Sequence, residues 1–199
     1  MAWFEERLRE GDVLYDIGAN VGVYSLLAVK AAPGPISVLA FEPAAANYAA
    51  LCENLVLNSA ESLITPLPLV LGESTRTGVF ALSDLIAGSG LHHLEGDTPG
   101  ASRQPVLVFA LDDLLKQFSL SPPTLLKLDV DGSEAAVLAG ARRTLADPAL
   151  RSVIVEVEEE LSEPVQRELA AAGLQLVARF DERDGTPLPG IWYGVFERT

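Results

Sequence analysis

The chain contains a single cysteine, Cys52, among its 199 residues. An intrachain disulfide is therefore excluded, and because Cys52 lies in a stretch rich in alanine and leucine, we interpret it as a small buried hydrophobic residue rather than a nucleophile. The chain also lacks an uninterrupted apolar run of the roughly 18–20 residues that span a bilayer. Its first residues, MAWFEERLREGD, carry acids where a signal peptide needs a basic start. We therefore expect a cytoplasmic protein without a membrane segment.

Basic residues are also scarce. Lys and Arg number 14 against 28 Asp and Glu, which gives a formal net charge of −14 and a pI near 4.4. A protein that binds nucleic acid usually presents clustered basic side chains to the phosphates, and the sequence has no such cluster. We therefore expect no nucleic-acid partner, and a substrate that is a small neutral or cationic molecule or a sugar. The apolar fraction of 49% argues against a disordered chain.

Short apolar runs alternate along the chain with alanine-rich segments of helical periodicity. Near-continuous apolar runs predict strands that are covered on both faces, at residues 13–17, 37–41, 64–71, 124–130 and 152–157. Helical patterns lie between and after them, at residues 21–32, 44–58, 132–145 and 163–172. This order predicts an α/β fold in which a parallel sheet carries helices on both faces.

The end of the chain departs from this alternation. Two strands predicted at residues 174–180 and 191–197 flank a stretch of turn-forming residues, so one of the two must run antiparallel to the rest. The five parallel strands and this C-terminal antiparallel hairpin together predict a mixed seven-stranded sheet. We expect a single domain over residues 1–199.

An irregular insertion is predicted at about residues 72–110. Its middle part, residues 86–104, is rich in Gly, Ser, His and Pro, and we interpret it as a loop or lid over the site. The two histidines of the chain, His92 and His93, lie in this stretch, and a histidine there could act as a general base. Histidines in loops are more often exposed bystanders, so we assign neither of them a role.

The first predicted strand runs into a glycine-rich turn, VLYDIGANVG, at residues 13–22. The dinucleotide fingerprint G-x-G-x-x-G needs three glycines, and only one of its three positions is glycine here. Asp16 ends the strand, and Gly18, Asn20 and Gly22 form the turn before a helix. Glycines let the backbone approach a ligand closely, and a helix N-terminus adds partial positive charge. The carboxylate of Asp16 would repel a pyrophosphate and suits a ligand with a cationic end.

The second predicted strand ends in the sequence FEP, which places Glu42 about twenty residues beyond the glycine turn. An acid at the tip of this strand suits a bidentate hydrogen bond to the two hydroxyls of a ribose. Asp16 near an amino-acid ammonium and Glu42 on a ribose together describe a site for S-adenosylmethionine (SAM). Taken singly, Asp16 could instead cap a helix, and Glu42 could be a solvated strand end.

Four stretches, DIGANVG, AFEP, ALDDLL and LKLDVDGSE, resemble in this order the FkbM-type family of SAM-dependent methyltransferases. The resemblance covers about residues 11–156, and it is specific because of LKLDVDGSE together with ALDDLL. It implies the class I methyltransferase (Rossmann-like) fold, with an antiparallel final strand and SAM as methyl donor. It also implies O-methylation of a small-molecule or sugar hydroxyl, and fold analogy places the adenine near Gly72.

The LKLDVDGSE stretch puts two charges on one side of a strand that is covered on both faces. Such charges are costly unless they are paired or lie at the open end of the strand. Asp129 lies near the carboxyl tip, where α/β sheets bind ligands, so we take it as the residue facing the methyl-transfer site. Lys127 is then its ion-pair partner or a substrate contact, unless the pair is purely structural. Glu134 forms a capping box with Asp131 or is a substrate-site acid.

Asp129, Glu134 and Glu156 could supply the oxygen ligands that Mg²⁺ prefers. Sequence spacing does not establish that they converge, so we assign no metal. Two other functions stay open: a non-catalytic SAM-binding sensor or partner subunit, and a nucleotide-dependent oxidoreductase, which the incomplete fingerprint disfavours. We expect the acceptor site to be open, or to be completed by a second subunit in a homodimer.

Overall fold

The computed structural model describes residues 2–82, 86–88, 93–94, 102–183 and 186–198. Its strands are β1 (Val13–Ile17), β2 (Ser37–Phe41), β3 (Ile64–Leu67), β4 (Val70–Leu71), β5 (Arg76–Leu82), β6 (His93–Leu94), β7 (Ser102–Phe109), β8 (Leu125–Leu128), β9 (Ser152–Glu158), β10 (Leu174–Phe180), β11 (Glu182–Arg183), β12 (Thr186–Pro187) and β13 (Ile191–Arg198). Its helices are α1 (Ala2–Arg7), α2 (Val23–Ala31), α3 (Ala45–Leu57), α4 (Leu111–Phe118), α5 (Glu134–Ala139), α6 (Arg142–Ala146) and α7 (Ser162–Ala171).

The central sheet has seven strands in the order β3-β2-β1-β8-β9-β13-β10. Strands β1, β2, β3, β8 and β9 are mutually parallel, whereas β13 runs antiparallel to both of its neighbours. The predicted mixed seven-stranded α/β sheet and its C-terminal antiparallel hairpin are therefore confirmed. The chain order reverses between β1 and β8, and open α/β sheets bind ligands at the carboxyl ends of the strands at such a switch point.

Helices cover both faces of the sheet. Successive residues of a buried strand point to opposite faces, so neighbouring side chains pack against different helices. Leu14 packs with α1, α2 and α3 in one core cluster, which includes Phe4, Ala28 and Leu51. Its neighbour Tyr15 packs in the other cluster, with side chains from α4, α5, α6 and α7. The strands consequently read as continuous apolar runs rather than as an alternation of apolar and polar residues.

The predicted insertion at residues 72–110 contributes most of a second sheet, in the order β4-β7-β5-β6. Strand β5 pairs antiparallel with β7 over its whole length, and β4 pairs parallel with β7. Residues 102–104, which we expected in the loop of residues 86–104, belong to β7. Of the rest of that loop, only residues 86–88 and 93–94 are described.

Two predicted elements are divided in the structure. The strand expected at residues 64–71 becomes β3 in the main sheet and β4 in the second sheet, with Pro68 and Leu69 between them. The helix expected at residues 132–145 becomes α5 and α6. The carboxylate of Asp112, on α4, accepts the backbone N–H groups of Arg143 and Thr144, each at 2.8 Å, and so fixes the start of α6.

Helix α1 was not predicted, and it packs on the sheet through two aromatic side chains. Trp3 and Phe4 are buried, and the Trp3 indole donates to the Ser152 hydroxyl at 2.9 Å. Within the described ranges, no helix has the length and apolar character needed to cross a membrane.

Candidate active site

The glycine turn between β1 and α2 closes tightly over the end of β8. Gly18 has a φ of +80°, and a side-chain carbon there would lie 1.7 Å from the carbonyl oxygen of Asp129. Gly22 has a φ of +87°, and a side-chain carbon there would lie 2.4 Å from Leu51 Cδ1. Asn20, between them, has a φ of 50°, a conformation that asparagine tolerates better than most residues. The backbone of this turn therefore has little freedom.

Glu42 fastens the turn to the end of β2. Its carboxylate accepts the N–H groups of Asn20 and Ala44, each at 2.8 Å, and it bonds the side chain of Asn47. Burial raises the pKa of Glu42, although these donors and the charge of Lys127 oppose the rise. Because each carboxylate oxygen carries two lone pairs, Glu42 keeps capacity for a further donor from a ligand.

Lys127 ties β8 to the turn from below. Its ammonium lies 3.2 Å from Asp16 Oδ1 and 3.4 Å from Asp129 Oδ2, and it donates to the carbonyl of Gly18 at 2.8 Å. Burial acts to lower the pKa of Lys127, but the two carboxylates outweigh it and raise that pKa above its ordinary value. Ser25 donates to the second oxygen of Asp16 at 2.6 Å. The ammonium thus connects Asp16, Asp129 and the Gly18 carbonyl in one network, and Ser25 joins it through Asp16.

Asp16 and Asp129 occupy different positions in this network. Asp16 is fully buried, and its carboxylate is enclosed by Lys127 and Ser25. The side chain of Asp129 is 22% exposed and faces the crevice. We expected Asp16 to meet the cationic end of a ligand; in the structure Asp129 lines the crevice and Asp16 does not.

A cavity of about 410 Å³ lies at the carboxyl ends of β1, β2 and β8. Several of the predicted site residues line it together: Gly18, Asn20, Glu42, Lys127 and Asp129. Its volume is in the range of small-molecule sites. Apolar walls come from Phe41 and from Leu69, Val70 and Leu71. Hydrogen-bonding groups and apolar side chains thus line the same cavity.

Gly22 and Gly72 do not line this cavity. Gly22 precedes the first residue of α2 and packs against Leu51. The N–H of Gly72 bonds the carbonyl of Phe109 at 3.0 Å in the second sheet. Leu69, Val70 and Leu71, just before Gly72, line the cavity instead.

A second cavity, of about 400 Å³, shares a wall with the first. Tyr24, Lys127 and Asp129 line both cavities, and the Lys127 ammonium lies 5.1 Å from the centre of the Tyr24 ring. The remaining lining residues come from α1 and from β8, β9, β10, β11 and β13. The site therefore has two chambers that meet at Asp129.

Glu134 lies beneath the loop that follows β8 and lines neither chamber. Its Oε1 accepts the N–H groups of Val130 at 3.1 Å and Gly132 at 3.3 Å. Burial raises the pKa of Glu134 to about 7 in spite of these donors. The N-cap of α5 is Ser133 rather than Asp131. Glu134 therefore stabilises the conformation of the loop, and its position does not favour contact with a substrate.

The other candidates are spread over the fold. Glu156 accepts a hydrogen bond from the Tyr193 hydroxyl in the second chamber. Among the described residues, no group of three or more His, Cys, Asp or Glu side chains is arranged to hold a metal ion. His93 begins β6, paired in register with Ala81, and His92 lies outside the described residues.

Three polar residues of the site were missed by sequence reasoning. Ser25 bonds Asp16, Asn47 bonds Glu42, and Tyr24 lines both chambers. A signal existed for the first two, since each lies in the first turn of a helix that directly follows a predicted site loop. Tyr24 has the same position, but its aromatic ring is indistinguishable from a core residue in sequence.

The sheet order and the site together define a class I methyltransferase fold. The crystal structure of methyltransferase FkbM from Methylobacillus flagellatus KT matches with a TM-score of 0.62 at 20% identity, over 94% of this chain and 44% of that one. The precorrin-6y C5,15-methyltransferase of Geobacter metallireducens GS-15 matches with a TM-score of 0.59 at 14% identity, over 100% of this chain and 86% of that one.

Sequence comparison shows the family. The model of the methyltransferase FkbM domain matches residues 16–179, so the chain belongs to the FkbM methyltransferase family. The hexuronic acid methyltransferase AglP of Haloferax volcanii is 31% identical over 153 residues, 76% of this chain and 58% of its own length. The 31-O-demethyl-FK506 methyltransferase FkbM of Streptomyces tacrolimicus is 31% identical over 182 residues, 76% of this chain and 67% of its own. The chain thus spans less than two thirds of the first of these relatives.

Proposed function

We propose that this chain binds SAM in the first chamber and transfers its methyl group to a hydroxyl of a small molecule or sugar in the second. The observation that carries the proposal is the meeting of the two chambers at Asp129, directly beside the glycine turn. Family membership supports the donor. The names of the two relatives, which refer to a hexuronic acid and to 31-O-demethyl-FK506, support a sugar or natural-product hydroxyl as acceptor.

The residues of the first chamber fit SAM. Glu42, which keeps capacity for a further donor beside Asn20, Ala44 and Asn47, would accept a hydrogen bond from a ribose hydroxyl. The backbone at Gly18 and Asn20 would shape the amino-acid end, and the apolar wall at Leu71 suits the adenine. Asp129 offers its carboxylate to the ammonium or to the reacting groups. Asp16 supports this end indirectly, through Lys127.

When bound, SAM supplies an electrophilic methyl group, and its transfer forms an O–C bond, breaks the S–C bond with the electron pair left on sulfur, and releases the hydroxyl proton. Alignment of the acceptor oxygen is the main task of the chain. Asp129 lies where both chambers open, so its carboxylate can orient the hydroxyl and take the proton. The Lys127 ammonium lies 3.4 Å from that carboxylate and holds it at the point where the two chambers meet. We also place this activity in the cytoplasm, since a chain with one cysteine forms no intrachain disulfide.

Calorimetric titration with SAM and, separately, with NADH tests the donor. We expect SAM to bind and NADH not to bind; NADH binding without SAM binding would establish the oxidoreductase alternative. Methyl transfer is tested by the formation of S-adenosylhomocysteine with a panel of sugar and natural-product alcohols. SAM binding without turnover of any alcohol in the panel would favour the sensor or partner-subunit alternative.

A further inference from the structure

Resting on the proposed function, we propose that the second chamber takes an uncharged hydroxyl compound as methyl acceptor and excludes acidic acceptors such as uronic acids. The acceptor proposed for this chain therefore differs in charge from the hexuronic acid in the name of the Haloferax volcanii relative. It depends on the charges that line this chamber, on the partners of its cations, and on the polar pair set into its apolar wall.

Among the residues that the structure describes, carboxylates outnumber cations in the lining of the second chamber. The acids are Glu6, Asp129, Glu156 and Glu182, and the cations are Arg7 and Lys127. Like charges close together in a partly desolvated cavity repel strongly. An acceptor that carries a carboxylate would therefore enter a chamber whose own charge is already negative.

The two described cations of the lining, Arg7 and Lys127, already have carboxylate partners. Lys127 lies between Asp16 and Asp129, and the Arg7 guanidinium contacts Glu6 and donates to Glu197 at 2.6 Å. To bind an acidic acceptor, one of these pairs would have to open and leave its own carboxylate uncompensated. Recognition of a carboxylate commonly uses an arginine that presents two N–H groups to it, and Arg7 is engaged elsewhere.

The apolar part of the wall favours a compound with a flat or curved apolar face. Trp3, Phe4, Tyr24 and Phe180 contribute aromatic rings to the chamber. The ring faces of a neutral sugar and the hydrocarbon of a natural-product alcohol both offer such a surface, so the shared chemistry is an uncharged alcohol beside an apolar face.

Tyr193 and Glu156 form the polar feature of this wall. They are direct partners in the register of β13 and β9, and the Tyr193 hydroxyl donates to the Glu156 carboxylate. The pair presents hydroxyl and carboxylate groups that bond alcohols. We assign it the role of positioning the acceptor hydroxyls relative to Asp129.

A panel of matched acceptors tests the charge selection. The protein, saturated with SAM, is given methyl β-glucoside, methyl β-glucuronide and a neutral hydroxylated macrolactone, and the formation of S-adenosylhomocysteine is measured. We expect turnover of at least one neutral compound, with kcat/KM at least about tenfold above that of the glucuronide. Equal or faster turnover of the glucuronide overturns the inference, as does SAM binding with no turnover of either neutral compound. Failure to bind SAM would instead refute the proposed function.

Variants of Tyr193 and Glu182 test whether these residues act on the acceptor rather than only on the fold. Tyr193→Phe is expected to raise KM for the neutral acceptor about five- to tenfold, the effect of one lost hydrogen bond, and to leave the Kd for SAM unchanged. Tyr48→Phe on α3, which lines neither chamber, is the matched control.

Glu182→Gln should reduce the ratio of kcat/KM for the neutral acceptor to kcat/KM for the glucuronide, whereas Glu163→Gln, exposed on α7, should leave this ratio unchanged. An unchanged KM in Tyr193→Phe, or an unchanged preference in Glu182→Gln, counts against the inference.

Discussion

The ammonium of Lys127 lies 3.2 Å from Oδ1 of Asp16, whose side chain has no solvent exposure. The two residues are direct partners in the register of β8 and β1, so the ion pair joins the strands that flank the switch point of the sheet. A charge in such a position is tolerated only when it is paired and hydrogen-bonded. The pair thus holds the ends of β1 and β8 together, and with them the glycine turn and Asp129.

Replacing Lys127 with methionine is expected to lower the free energy of unfolding by about 3–5 kcal/mol, because it leaves the buried Asp16 carboxylate without its partner. Chemical denaturation in urea measures the change. The double variant Lys127→Met, Asp16→Asn removes both charges and should recover most of the loss. Equal stability of the single and double variants would show that the loss does not come from an unpaired Asp16 carboxylate.

Replacing Glu42 with alanine is expected to weaken SAM binding by about 1–3 kcal/mol, or roughly 5- to 150-fold in Kd, since a buried acceptor for ligand hydroxyls is lost. Calorimetric titration measures the affinity. Glu53→Ala, an exposed acid on α3, provides the control and should bind SAM like the original chain. Unchanged affinity in Glu42→Ala would end the assignment of this residue to the ribose.

The sheet could be predicted because its signals are local. The apolar runs at β1, β2, β8 and β9 and the turn residues before β13 are visible in short windows, and their alternation with helical patterns indicates parallel strands followed by an antiparallel hairpin. The division of the helix at residues 132–145 was not visible, because it depends on Asp112, which is distant in sequence.

The site was predicted in part, for a similar reason. The positions of Gly18, Glu42 and Asp129 follow from where strands end, and the structure brings all three to one cavity. Both acids contact Lys127, and the one that faces the cavity is set by burial that short windows do not show: Asp16 is fully buried and also bonded by Ser25, whereas Asp129 is 22% exposed. The second chamber needs α1 and Tyr193 together, residues from opposite ends of the chain that no local pattern connects.

Glu134 is expected to make stability depend on pH. Its pKa in the folded state, raised to about 7 by burial, lies above its value of about 4.3 in an unfolded chain. The folded state therefore holds the proton more tightly, and the free energy of unfolding falls as pH rises from about 4.3 to 7. The total decrease from this group is about 4 kcal/mol.

Glu134→Gln mimics the neutral carboxyl and keeps an oxygen for the N–H groups of Val130 and Gly132. Urea denaturation at pH 5 and pH 8 should show the variant gaining stability relative to the original chain as pH rises. Glu163→Gln, exposed on α7, should show no such gain. A constant difference between Glu134→Gln and the original chain at the two pH values would mean that Glu134 is ionised throughout.

Gly18→Ala is expected to disrupt the turn through a clash as well as through its backbone conformation. The new methyl group would lie 1.7 Å from the carbonyl oxygen of Asp129, so the turn or the end of β8 must move. Gly11→Ala supplies the matched control, because Gly11 has nearly the same φ, +82°, with nothing within 4 Å of the added carbon. The control should lose about 1–2 kcal/mol of stability from its positive φ alone. Gly18→Ala should lose more than this and bind SAM at least about tenfold more weakly; losses equal to those of Gly11→Ala, with SAM affinity retained, would show that close contact with Asp129 is not required.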